Sequence, residues 1–148
     1  MPGIEVITKD GTTTVTTKPV EIKFPAPTGE FSSLSNMDLA KKAKATASEL
    51  RQFQGEFDED YKRRGQPDDQ KASALKYYTL FRERFSETDF SLASEMLSRI
   101  DDKLHGSEMP QVAVMGASLV VNKVFAGPRA GDASAAFLEI LADKLPKK

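Results

Sequence analysis

Cysteine and tryptophan are absent from this chain, and histidine occurs once. Without cysteine there can be no disulfide, no thiol nucleophile and no thiolate metal site. Absence of cysteine fits the cytosol and is equally compatible with export. A single imidazole, His105, also excludes the paired Glu-x-x-His motifs of di-metal helix bundles. Charge of one sign is missing too. Lys and Arg number 21 against 22 Asp and Glu, for a net charge of -1, so no bulk field draws the chain to nucleic acid or to an anionic membrane. No apolar run is long and clean enough to span a bilayer. The first residues lack the charged segment and apolar core of a signal peptide, so none is expected. P-loop, Gly-x-Ser-x-Gly and His-Glu-x-x-His patterns are all absent. These absences predict no catalytic residues, no metal and no cofactor.

What is present is an ordinary soluble mixture, 39% hydrophobic and 29% charged, in 148 residues. That length suffices for one domain with a sizeable core. Residues 1–34 differ from the rest. Ile4 to Thr8 alternates, Lys9-Asp10-Gly11 signals a turn, and Thr12 to Thr16 is β-prone, which together predict a short hairpin. Val20 to Phe24 alternates again, but Pro19, Pro25 and Pro27 confine it to an edge or an extended arm. Thr28 to Ser33 reads as linker.

From residue 35 to 148 the periodicity is helical. Ser35 can cap a first helix reaching Arg64, with Ala40, Ala43, Ala47, Leu50, Phe53, Phe57 and Tyr61 as its apolar stripe and Gly65-Gln66-Pro67 as its stop. Gly55 inside it predicts a weak point or a close packing contact. Asp68 or Asp69 can cap a second helix to about Phe85. Ser86 to Asp89 is rich in capping residues, so the chain breaks there and restarts or continues with a kink, and Phe90, Ala93, Leu97, Ile100 and Leu104 then predict a third helix, closed by Gly106. Met109 to Ala126 is the most apolar window. Its valines suit a strand as well, but Gly127-Pro128 closes it at helical length, and the reading adopted is a helix. Its apolar residues go most of the way round, so it is expected to be wrapped by the rest of the chain. Asp132 can cap a last helix with Phe137, Ile140, Leu141 and Leu145 facing inward. The expected fold is therefore mainly α: a bundle-like domain of four to five helices over residues 35–148, preceded by a short β-prone arm and linker over residues 1–34.

Several motifs carry a possible chemistry and a simpler alternative. His105 precedes Gly106 at a helix end, where the helix dipole favours a cation without any catalytic role. Asp58-Glu59-Asp60 lacks the spacing of a calcium loop, since Lys62 follows and Gly65 is misplaced, and reads as a solvated helix end. Lys41, Lys42 and Lys44, with Lys62, Arg63 and Arg64, form two basic clusters that could contact nucleic acid. Neutral net charge and the adjacent acids argue against that use. The Gly127 to Asp132 loop could hold an anion at a helix start with help from Arg129, but reads more simply as a turn.

The function this composition favours is a non-enzymatic protein-interaction or assembly module. Its partner would be another protein or a second copy of the chain. The binding residues would lie on the arm: Ile4, Val6, Ile7, Val20, Ile22 and Phe24 could join a sheet edge or lie in a groove. The alternatives are a small exported bacterial effector and a nucleic-acid-associated helical protein. The expected location is the cytoplasm or, alternatively, outside the cell without a cleaved signal peptide.

Overall fold

The computed structural model describes residues 26–100, 110–125 and 127–146, together with the backbone alone of residues 3–9 and 12–18. In the arm, β1 (Gly3–Lys9) pairs antiparallel with β2 (Thr12–Lys18), with Val6 opposite Val15. Five helices follow: α1 (Asn36–Arg64), α2 (Pro67–Arg84), α3 (Ser86–Arg99), α4 (Gln111–Asn122) and α5 (Ala130–Lys144). The described body is mainly α, with one hydrophobic core drawn from all five helices.

The ends of α1 follow the sequence logic closely. The Ser35 hydroxyl accepts from the Asp38 backbone N–H at 3.1 Å, satisfying one of the free donors of the first turn. Gly65 takes φ +70° and stops the helix in the left-handed region that glycine adopts without strain. At α2 it is Pro67, in the first turn, that begins the helix. Gln66 precedes it without a side-chain cap, so neither Asp68 nor Asp69 serves as the cap residue. Proline fixes the φ that a first helical residue needs and lacks only a donor that would be unused there. Gly55 has nothing within 4 Å of where a Cβ would stand, so it makes no close contact.

The helix α5 is the axis of the body, packed against α1, α4 and α3. Its first half is built of small buried residues, Ala130, Gly131, Ala133, Ser134 and Ala135, and its second half carries Phe137, Leu138 and Leu141. Small residues let two helices approach on either side. A Cβ at Gly116 of α4 would lie 1.9 Å from the Ala133 carbonyl oxygen, and one at Gly131 would meet Gln54 and the Leu50 carbonyl of α1 at about 3 Å.

The apolar window does not lie where its composition suggested. Only α4 is helical within it. Lys123 turns left-handed at φ 55° and closes the helix through its N–H on Leu119 and Val120. Ala113, Gly116, Ala117, Leu119 and Val120 face inward, while Val112 and Met115 are 40% and 46% exposed. Gln111, Met115, Ser118 and Asn122 recur at steps of three and four, so α4 has an outer face. Phe125 leaves the helix altogether and enters an aromatic core from the following loop. Its ring centroid lies 5.2 Å from Phe81, 5.5 Å from Phe53 and Tyr78, and 5.7 Å from Phe57. Edge-on and tilted pairs at these distances are favoured by the ring quadrupoles.

The helix wrapped on nearly every side is α3. Ser91, Leu92, Ala93, Ser94, Glu95 and Met96 are six consecutive buried residues.

Candidate functional site

Three features of the body could carry function: the attachment of the arm, the surface charges and the polar groups inside the core.

The linker is fastened to α3 along its length. Thr28 Oγ1 donates to Ser91 Oγ at 3.1 Å. Phe31 and Leu34 pack against the core. Arg99, in the last turn of α3, donates to the carbonyls of Leu34 at 2.6 Å and of Phe31 and Ser32 at 3.2 Å, and to Asn36 Oδ1 at 3.1 Å. Glu95, one turn earlier, orients the same guanidinium through an Nε–Oε2 bond of 2.9 Å. A planar fork with five fixed donors is suited to collecting several carbonyls at once. The sequence signal for this clamp is no more than a Glu-x-x-x-Arg pair, which on most helices is a solvated i,i+4 contact.

The arm residues named from sequence divide by position. Ile4, Val6 and Ile7 lie on β1, whose backbone alone is described. Val20, Ile22 and Phe24 lie outside the described residues, as do Leu104, His105 and Gly106.

The two basic clusters do not converge. Lys44 and Lys62 are 18 residues apart on one helix, which at 1.5 Å per residue is about 27 Å. Lys41, Lys42 and Lys62 are exposed. Lys44 pairs with Asp143 of α5 at 3.0 Å, and Arg63 and Arg64 both bind Asp60, at 2.6 and 2.9 Å. Asp60 is thus not part of a solvated end. It is buried and accepts from the Ser73 hydroxyl of α2 at 2.6 Å. That bond, with the two arginines, outweighs burial and holds its carboxyl down to about 2.

The glycine-containing loop before α5 is already filled. Gln54, buried in α1, accepts from the Gly131 N–H at 2.8 Å through Oε1 and donates through Nε2 to the Pro128 carbonyl at 2.7 Å and to Asp58 at 2.9 Å. The side chain of one helix therefore caps another, and Asp132 is not the cap. Arg129 is held between Asp58 and Asp132, and Arg51 between Asp132 and Glu139. An anion would have to displace both the glutamine and the two carboxylates.

A groove of about 630 Å³ opens between the start of α1 and the end of α5, floored by Met37, Ala40, Ala142, Leu145 and Pro146 and edged by Lys41 and Lys44. A smaller one of about 280 Å³ lies over Phe53 and Phe85, between Glu49, Glu56 and Arg84. The Arg84 guanidinium stacks over both rings at 5.5 and 5.2 Å.

Inside the core, Asp89 is fully buried and neither carboxylate oxygen has a hydrogen-bond partner. The Ser86 and Ser134 hydroxyls are likewise buried and unpartnered. Burial pushes the Asp89 carboxyl well above its ordinary value, and Glu49 of α1 adds to the shift. From sequence this aspartate read as one of several capping residues.

Among the described residues no three His, Cys, Asp or Glu side chains converge to hold a metal ion, and no helix is long and apolar enough to cross a membrane. Compared with known proteins, the chain matches no family model, no curated relative and no solved structure.

Proposed function

We propose that this protein is a non-enzymatic interaction module, in which a helical body presents the N-terminal arm to another protein or to a second copy of the chain. The observation that carries this reading is the Arg99 clamp. Three bonds from one guanidinium fix the linker carbonyls to α3 and a fourth reaches Asn36 at the start of α1, so the described part of the linker, from which the arm departs, is held by the body. A fixed departure point reduces the entropy lost when the arm engages a partner. The alternation of Ile4, Val6 and the partly proline-limited Val20, Ile22, Phe24 segment suits strand addition to a sheet edge or an extended fit in a groove.

The same clamp dictates the test. Removing residues 1–25 leaves Thr28, Phe31 and Leu34 in place, so the body should keep its helical circular dichroism and its cooperative melt. The shortened chain should lose self-association in sedimentation and lose partners captured by the full chain. Unchanged association and capture after this deletion would overturn the reading. A nucleic-acid role predicts instead binding that weakens steeply with salt and depends on Lys41, Lys42 and Lys62.

A further inference from the structure

The helix α3 carries the linker at both ends. Ser91 receives Thr28 near its start, and Arg99 gathers the linker carbonyls at its finish. Between the helix start and Ser91 lies Asp89, fully buried with both oxygens unpartnered, and Ser86 stands one turn before it with its own hydroxyl unpartnered. Two such residues at i and i+3 share one helix face. That face holds polar groups where water is excluded.

The charges on the surrounding elements are committed elsewhere or of the wrong sign. From α1, Glu49 bears on Asp89 and opposes its ionisation. Arg84 of α2 lies over Phe53 and Phe85. No residue of α4 is charged, and Lys123 beyond it pairs with Glu87 and covers Phe90. On α5, Asp132, Glu139 and Asp143 pair with Arg129, Arg51 and Lys44, and Lys144 is exposed. On α3 itself, Arg99 is held by Glu95 and the linker, and Glu30 of the linker is exposed. An Asp89 anion would have neither water nor a counter-ion, a combination the interior disfavours strongly.

We propose that Asp89 makes the seating of α3 proton-dependent: the protonated side chain keeps the helix buried and the linker fastened, and ionisation unseats its first turns and releases the linker at Thr28. The inference goes beyond the interaction reading and needs no partner for its test.

The sign follows from linkage. In the closed body the carboxyl holds its proton above the ordinary 3.8, whereas in an opened state it would titrate near that value. Above about pH 4 the closed state binds more protons. Opening should therefore grow with rising pH, by about tenfold per pH unit, until the closed-state carboxyl itself titrates, and level off beyond that point.

The experiment is amide hydrogen exchange on the full chain between pH 4.5 and 8.5, corrected for intrinsic rate, read at residues 89–96 of α3. The wild type should show the rise, and a plateau where the closed-state carboxyl titrates within this range. Asp89→Asn should abolish the rise. Glu49→Gln, an exposed change that leaves the core intact, should bring the plateau to lower pH by removing the charge that opposes ionisation. If Asp89→Asn does not fold, the wild-type and Glu49→Gln profiles decide alone. A flat wild-type profile, an Asp89→Asn profile parallel to wild type, or a Glu49→Gln plateau at unchanged pH would each overturn the proposal.

Discussion

The helices α3 and α4 exchange the places that their compositions assign them. The apolar segment, Val112 to Val121, buries one face and turns the other outward, with Val112 and Met115 in solvent. The segment carrying Ser86, Asp89, Ser91, Ser94 and Glu95 lies within, surrounded by the other helices. Side-chain size accounts for part of this. Ser91, Ala93 and Ser94 are small, and α3 touches all four of the other helices, so residues on every side of it are covered. The other part is local satisfaction. Ser94 and Ser98 donate to carbonyls three residues back, at 3.2 and 2.6 Å, and Glu95 is neutralised by Arg99. Buried polar groups cost little when paired. Asp89 and Ser86 are the members of this set left without a partner.

Several substitutions would break or sharpen the contrast. The largest effect is expected from Gly116→Val, on the inner face of α4. Its Cβ would fall on the Ala133 carbonyl, which is backbone and cannot swing aside. The cost should exceed the about 1–3 kcal/mol usual for overpacking, and far-UV circular dichroism should show loss of the folded body. Next comes one chemical change made in both helices. Met96→Ala in α3 should cost about 2–5 kcal/mol by urea denaturation, because Met96 is fully buried. Met115→Ala in α4 should stay within about 0.5 kcal/mol, and an equal loss at both sites would mean that the outer face of α4 is covered after all.

A smaller effect separates Asp89 from the other buried aspartate. Asp60 is stabilised as the anion, so its contribution is present above the unfolded value and fades as pH falls through about 2. Ser73→Ala removes its strongest hydrogen bond, and the acid transition should move to higher pH. In thermal melts across pH 1.5–5, this variant and wild type should diverge, with Ser73→Ala losing stability first. The mildest change is Gly55→Ala. An exposed helical glycine with open space around its Cβ position should yield to alanine with a gain of about 0.5–1 kcal/mol, visible as a small rise in melting temperature.

Local features were the readable ones. The Ser35 cap, the Gly65 stop and the stripe from Ala43 to Phe57 are written within a few residues of where they act. So is the inward set of Phe137, Leu141 and Leu145 in α5. What escaped was set by residues distant in the chain. Hydropathy records that a segment resists water but not how many neighbours it will have, so the apolar window read as the centre. Phe125 continued the helical pattern and nevertheless left it, because the cavity between Phe53, Phe57, Tyr78 and Phe81 could take its ring. Leu138 was missed although it stands at helical spacing from Leu141 and Leu145. Arg99 and Gln54 look like ordinary surface residues until their partners, more than sixty positions away, are brought beside them. No short motif marks either residue, and none marks Asp89.

The amide of Gln54 has a consequence for the order in which the body can form. It supplies from α1 the acceptor that the start of α5 lacks, across 77 positions of chain. A chain emerging from the ribosome therefore completes its first long helix well before the helix that shields it. Through that interval Leu50 and Gln54 have no α5 to lie against. Folding in the cell should await the last of the five helices and then close in one step, since neither helix is finished without the other. Ribosome-bound chains ending before Ala130 should be sensitive to protease along α1, and chains extended past Lys144 should resist it.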